Sequence, residues 1–77
     1  MFMNVEIVDS GQDGDSLYFK VVDLSGKEYI IYDCKIKETF GEYKGYYGSY
    51  KGRPAHLNIL SKDKVVLLIK DENLSNM

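Results

Sequence analysis

The sequence predicts an all-β fold, a small antiparallel barrel or curled sheet of five or six strands, of the SH3-like or OB-like kind. Short runs rich in Val, Ile, Leu and Tyr recur along the chain, turn-forming residues separate them, and helical spacing of apolar residues is scarce. A chain of 77 residues has room for one core only. We therefore expect a single domain over residues 1–70 and a polar C-terminal tail over residues 71–77.

The first predicted strand begins near Met3 and ends near Val8, where the turn-forming cluster 9–15 follows. The clearest element is a hairpin of residues 16–23 and 27–37 around Leu24-Ser25-Gly26. A type I turn followed by glycine in the left-handed region makes a three-residue hairpin loop. The sequence therefore predicts a positive φ at Gly26.

This loop also predicts the register of the hairpin, because the residues on either side of it must pair in order. One face, apolar enough to meet a core, would pair Val21 with Tyr29, Phe19 with Ile31 and Leu17 with Asp33. The mixed, half-exposed face would pair Val22 with Glu28, Lys20 with Ile30 and Tyr18 with Tyr32.

The last third of the domain predicts a second hairpin. Residues 55–59 alternate between apolar and polar, residues 61–64 have turn chemistry, and residues 64–70 return. The adjacent β-branched residues Val65 and Val66 favour strand over helix. Between the two hairpins, residues 41–52 hold four of the seven glycines and four of the seven tyrosines, and are either Gly-interrupted strands or a long loop.

The run 65–69 is apolar without a break, which indicates a strand buried on both faces. Another subunit or partner could cover the second face, in which case Val66 and Leu68 lie in an interface and a homodimer is expected. Alternatively, the strand is enclosed within one chain by folded-over hairpins.

Composition limits the environment and the partners. Cys34 is the only cysteine, so the monomer has no disulfide, and one Cys with one His cannot supply a structural zinc site. No apolar run approaches the length of a membrane span. The formal net charge is −2, which disfavours non-specific binding to duplex DNA. We expect a soluble cytoplasmic protein without metal or cofactor and without membrane contact.

Catalytic chemistry has few candidates in this chain. Cys34 and His56 are the only possible nucleophile and base, and they would have to meet in the fold with a third group to orient the base. Cys34 belongs to an alternating set of residues, Ile30, Tyr32, Cys34 and Ile36. This pattern predicts that Cys34 is a small packing residue. The turn 9–15 supplies the first ligand of a calcium loop but places Lys20 where the bidentate glutamate belongs. The sequence thus indicates a binding protein and not an enzyme.

The strongest functional signal is the stretch of tyrosines, glycines and basic residues. Tyrosine offers a large, stiff contact surface, and glycine lets the backbone adapt, as in antibody paratopes. The alternative is that some of the rings cover the core. The predicted contact residues are Tyr43, Lys44, Tyr46, Tyr47, Tyr50, Lys51 and Arg53.

Two hypotheses account for such a surface. The first is a protein-interaction module or inhibitor, of the kind that phages and mobile elements encode to block host or defence proteins. The second is a protein that binds or sequesters a nucleotide or single-stranded nucleic acid, with tyrosine rings stacked on bases and lysine or arginine on phosphates.

Overall fold

The computed structural model describes residues 1–70, which form a closed antiparallel barrel of six strands. The predicted tail, residues 71–77, lies outside the described residues. The barrel fold is confirmed, and the strands follow each other around it in chain order, unlike the Greek-key order of an OB-fold. The strands are β1 (Phe2–Asp13), β2 (Ser16–Asp23), β3 (Glu28–Phe40), β4 (Tyr43–Tyr50), β5 (Arg53–Ser61) and β6 (Lys64–Ile69).

Strand β1 closes the barrel because it pairs with two partners in succession. Phe2 to Val5 pair with β6, and Val5 to Asp13 pair with β2. A bulge between Ile7 and Asp9 interrupts the pairing with β2, beyond the residues that pair with β6. The structure therefore extends β1 through most of the segment predicted to be a turn. Tyr18 pairs with Gly11, and a Cβ there would meet the Tyr18 ring at 2.4 Å, so the ring covers the strand at its glycine.

The loop of the β2–β3 hairpin has the predicted geometry. The Gly26 N–H donates to the Asp23 carbonyl at 3.0 Å, the Asp23 N–H donates to the Lys27 carbonyl at 3.0 Å, and φ of Gly26 is 90°. The Asp23 carboxylate accepts four hydrogen bonds, from the N–H and hydroxyl groups of Ser25, from the Lys27 N–H and from the Tyr29 hydroxyl. The pairing of Phe19 with Ile31 and of Val21 with Tyr29 is confirmed.

The predicted register is wrong beyond Ile31. Leu17 pairs with Cys34 and not with Asp33, because a bulge sets two β3 residues, Tyr32 and Asp33, against Tyr18. Asp33 takes a left-handed φ of 55° there, which Asp tolerates better than most residues. The bulge turns Cys34 into the core, so Cys34 does not share a face with Ile30 and Tyr32, which are exposed on the outside. Ile36 is also exposed, but it pairs with the inward Tyr46 and so stays on the same side of β3 as Cys34. Its predicted role as a buried packing residue is confirmed.

The Tyr/Gly stretch is a strand between two tight turns. β4 occupies residues 43–50 and pairs with β3 and β5 on its two sides. The two-residue turn to β5, Lys51-Gly52, has φ values of 49° and 81°, as a type I′ turn requires. The predicted last hairpin is confirmed as β5 and β6, with Ser61 opposite Lys64.

The core takes inward residues from five of the strands, and β1 packs against it through Met3, Val5 and Ile7. On β6, Val65, Leu67 and Ile69 point inward, whereas Val66 and Leu68 point outward. Val66 is buried among its neighbours on the outer face of the same barrel, and Leu68 is partly exposed. The buried hydrophobic residues of the core cluster are Phe19, Val21, Tyr29, Ile31, Cys34, Tyr50, Ala55, Leu57, Val65, Leu67 and Ile69.

Replacing Gly26 with alanine tests the hairpin loop. We expect Gly26→Ala to lower the free energy of unfolding by about 1 kcal/mol, because a Cβ is disfavoured at positive φ. Nothing lies within 4 Å of the position that this Cβ would take, so the cost comes from the backbone alone. Urea denaturation measures it, and an unchanged midpoint would contradict the loop geometry.

Candidate binding surfaces

The four tyrosines of β4 lie on two faces of the strand. Tyr50 is buried against Tyr29, with ring centroids 5.3 Å apart, and Tyr46 packs against Phe19 at 4.9 Å. Tyr43 and Tyr47 alternate with them and point outward. The structure therefore does not bring the predicted contact residues into one surface.

The basic residues of the same prediction are also separated. Lys44 is exposed near the start of β4 and pairs with Thr39 and Ile59. Lys51 lies in the turn at the other end of the strand, and its ammonium group is 5.4 Å from the Tyr50 ring centroid. The Arg53 guanidinium donates to the Lys70 carbonyl at 3.1 Å.

A continuous uncharged surface covers the outside of β4, β5, β6 and the start of β1. We call it the uncharged wall. Four outward positions come from β4, four from β5, two from β6 and two from β1, and none carries a carboxylate, ammonium or guanidinium group. The wall consists of Tyr43, Gly45, Tyr47, Ser49, Pro54, His56, Asn58, Leu60, Val66, Leu68, Phe2 and Asn4.

One row crosses the middle of this wall. Tyr47 pairs with His56, His56 with Leu68, and Leu68 with Phe2, so four side chains follow each other across four strands. The rings of Tyr47 and His56 are 4.6 Å apart, and Phe2 is 70% exposed. Lys35 extends the row on the β3 side, since it pairs with Tyr47.

The next row is polar and flat. Gly45 pairs with Asn58, Asn58 with Val66, and Val66 with Asn4. The Tyr43 hydroxyl lies 3.1 Å from Asn58 Oδ1, to which it donates, so this ring is fixed along the surface. Burial, together with the nearby carboxylate of Glu38, raises the pKa of the Tyr43 hydroxyl.

His56 keeps the wall uncharged at neutral pH. Burial, together with the positive charges of Lys70 and Lys37, lowers the pKa of its imidazole below the ordinary value. Because folding favours the neutral ring, the stabilisation is present above the ordinary histidine pKa and is lost as the pH falls through the lowered pKa.

A pH titration of stability tests this environment. We expect the free energy of unfolding to fall on acidification between about pH 7 and pH 5.5, and the fall to be smaller in His56→Gln. Carboxylates that titrate in the same range are common to both proteins. Their contribution to the free energy of unfolding therefore cancels when the two curves are compared. Parallel curves for the two proteins would contradict a lowered pKa at His56.

Cys34 and His56 lie on opposite faces of the sheet. The Cys34 thiol faces the core, with its sulfur 3.5 Å from the Ile31 carbonyl oxygen, whereas His56 is on the wall. Burial, together with the charge of Asp33, raises the pKa of the thiol to about 11, so it is protonated at neutral pH. The thiol and the imidazole are therefore not in contact with each other.

A groove of about 580 Å³ lies between the start of β3 and the turn that ends β4. We call it the β3–β4 groove. The exposed side chains of Ile30 and Tyr32 line one side, and Ser49 and the Lys51-Gly52 turn line the other. The groove was not predicted, because it depends on the β3 bulge that sequence reasoning missed.

Within residues 1–70, no three side chains of His, Cys, Asp or Glu gather as a metal site requires, and no helix could cross a membrane. Comparison with known protein families, curated proteins and solved structures finds no match to this chain. The site is therefore argued from its own chemistry. One pattern in the sequence could have predicted the wall residues outside the tyrosine stretch. Alternate positions of residues 43–49 and 54–60 carry no charge.

Proposed function

We propose that this protein is a non-catalytic binding module whose uncharged wall docks on another protein. The observation that carries the proposal is that none of the twelve contiguous outward positions of the wall carries a formal charge. Asp, Glu, Lys and Arg make up 29% of the chain, so about three or four of twelve outward positions should be charged. Their depletion is the compositional mark of the centre of a protein interface.

The side chains in the central row fit this role. Tyrosine and other large side chains dominate binding hot spots, and Tyr47, His56, Leu68 and Phe2 form a connected strip. Tyr47 is 42% exposed and held between the His56 ring and the Lys37 ammonium, 5.2 Å from its centroid. A ring already held in place loses little conformational entropy on binding.

Charged residues surround the wall instead of interrupting it. Lys35, Lys37 and Glu38 border it on the β3 side, Glu6 follows Asn4 on β1, and Lys64 and Lys70 stand at the two ends of β6. An apolar and amide-rich centre within a charged border is the usual anatomy of an interface. Two partner hypotheses use this same surface: a target protein that the module inhibits, and a second copy of the chain in a homodimer through Val66 and Leu68.

Capture of a partner with matched variants tests the proposal. Tagged protein, Phe2→Ser with Tyr47→Ser, and Leu24→Ser are each used to capture proteins from the organism that encodes the chain. Leu24 is 92% exposed in the β2–β3 loop, is not one of the wall residues, and serves as the control. We expect wild type and Leu24→Ser to retain one discrete protein and the double variant to lose it by at least tenfold.

Sedimentation of the purified protein runs beside this experiment and separates the two partner hypotheses. A dimer that the double variant dissociates identifies the partner as a second copy. A protein that is retained equally by all three forms, or a double variant that no longer folds by circular dichroism, contradicts the wall as the binding surface.

A further inference from the structure

Two lysines, Lys27 and Lys51, line the β3–β4 groove. Lys27 Nζ is 5.2 Å from the centroid of the Tyr29 ring, Lys51 Nζ is 5.4 Å from that of Tyr50, and the two rings are 5.3 Å apart. The lysines thus lie over one connected pair of buried rings, and both line the groove. Cation–π contact restrains the side chains without neutralising their charge.

No carboxylate of the described residues lies within 4.0 Å of either ammonium group. The one ion pair among residues 1–70 joins Lys20 and Glu28 at 3.4 Å, and Glu28 also lines the groove. Two carboxylates line the groove, and one of them, that of Glu28, is therefore paired with a cation that lies outside the groove. Two cations without partners next to a concave surface favour an anion there.

The groove also offers a surface for a planar ring. Tyr32 is 55% exposed and Ile30 is 37% exposed, and both point outward from β3 on the floor of the groove. The Ser49 hydroxyl and the Asp33 carboxylate are the polar groups nearest to these side chains along the paired strands. They can accept hydrogen bonds from hydroxyl or amino groups of a ligand.

Backbone strain marks the same place. Asp33 and Lys51 are the two non-glycine residues with positive φ in the described chain, at 55° and 49°, and both line the groove. The first position of a type I′ turn favours Asn, Asp or Gly, so lysine there costs stability. Strained residues that persist in a fold cluster at ligand sites.

We propose that the β3–β4 groove binds a nucleoside monophosphate, with the phosphate between Lys27 and Lys51 and the base on the exposed Tyr32 ring. Ammonium groups bind phosphate as point charges, and tyrosine stacks on any base. The groove ends at the Lys51-Gly52 turn and at the Asp33 bulge, which suits one nucleotide better than a long strand. This site shares only Ser49 with the uncharged wall and does not depend on the function proposed for the wall.

Titration with adenosine monophosphate at low salt tests the proposal by NMR of the backbone amides. We expect saturable shifts at Tyr32, Ser49 and Lys51, and at least a tenfold loss of affinity in Lys27→Gln with Lys51→Gln. Lys62→Gln with Lys64→Gln removes two exposed lysines from the β5–β6 turn and should bind as wild type does. Tyr32→Ala should weaken binding about fivefold or more, since base stacking on an aromatic ring is substantial.

Adenosine and inorganic phosphate, each titrated alone, separate the two halves of the site, and both should bind more weakly than the nucleotide. Absence of saturable shifts, or an equal loss in the two lysine double variants, overturns the proposal. Phosphate that binds as tightly as the nucleotide, with Tyr32→Ala unaffected, overturns the role of the ring.

The variant Lys51→Asn distinguishes a loss of nucleotide binding from a loss of stability. Asparagine suits the left-handed turn, so Tm should rise by roughly 2–6 °C while nucleotide affinity falls several-fold. Full nucleotide affinity in this variant would show that Lys51 does not contact the phosphate and would overturn the assignment.

Discussion

Gly48→Ala is expected to lower the free energy of unfolding by about 3 kcal/mol, because the added methyl group would overpack the interior of the barrel. A Cβ at this position would lie 2.6 Å from the Tyr32 carbonyl oxygen and 2.7 Å from Cys34 Sγ. The carbonyl belongs to the backbone of the β3 bulge and cannot move without disturbing the β3–β4 pairing. A domain of this size has only about 4–11 kcal/mol of stability, so the loss would be severe.

Gly45→Ala is the matched control, because it adds the same methyl group to the same strand. There the nearest atoms are side-chain atoms of Glu38, Tyr43 and Asn58, at 3.1–3.3 Å, which can adjust. We expect a change below about 1 kcal/mol. Thermal unfolding should separate the two variants by roughly 10 °C, and equal Tm values would contradict the close approach of β3 to Gly48.

Charge placed on β6 should have opposite consequences at adjacent residues. We expect Leu67→Lys to unfold the protein, because Leu67 is fully buried in the core and an ammonium group there would have no partner. Leu68→Lys should remain folded, since Leu68 points outward, yet lose the partner that the uncharged wall binds. A charge in the centre of a desolvated contact costs several kcal/mol unless it is paired.

Circular dichroism and the capture assay together measure this pair of variants. If Leu68→Lys also unfolds, the second face of β6 is part of the folding core and not a free surface. If Leu68→Lys folds and still captures the partner, the proposed wall is not where binding occurs.

The sequence was sufficient to predict the strands and hairpins whose turns depend only on the residues in and next to the turn. Gly26 predicted the β2–β3 loop and the register next to it. The β5–β6 hairpin was predicted from the alternation of apolar and polar residues on either side of residues 61–64. The β3 bulge could not be predicted, because Asp33 carries no local signal for a positive φ and the benefit, a buried Cys34 beside Gly48, is tertiary. That bulge decides which side of β3 the residues as far as Ile36 face, and a second irregularity follows between Ile36 and Glu38.

The candidate surfaces were predicted less completely for the same reason. Of the four tyrosines predicted to be contact residues, Tyr43 and Tyr47 point outward, but Tyr46 and Tyr50 pack in the core, because a strand sends adjacent side chains to opposite faces. Residues that are remote in sequence, such as Phe2 and His56, join the wall only through the pairing of β1, β5 and β6. No sequence pattern specifies which strands become neighbours when a sheet closes.

The pairing of β1 with β6 sets a limit on how quickly this chain acquires its native state. Every other ladder joins strands that are neighbours in the sequence, whereas Val5 must find Val65 across nearly the whole domain. Local hairpins form in about 1–10 μs, whereas the pairing of β1 with β6 must also overcome the entropy of closing a loop of nearly the whole domain. During translation, the first strand must therefore wait with an unsatisfied edge until the sixth has left the ribosome. This interval is when the nascent protein is most exposed to aggregation and most dependent on chaperones.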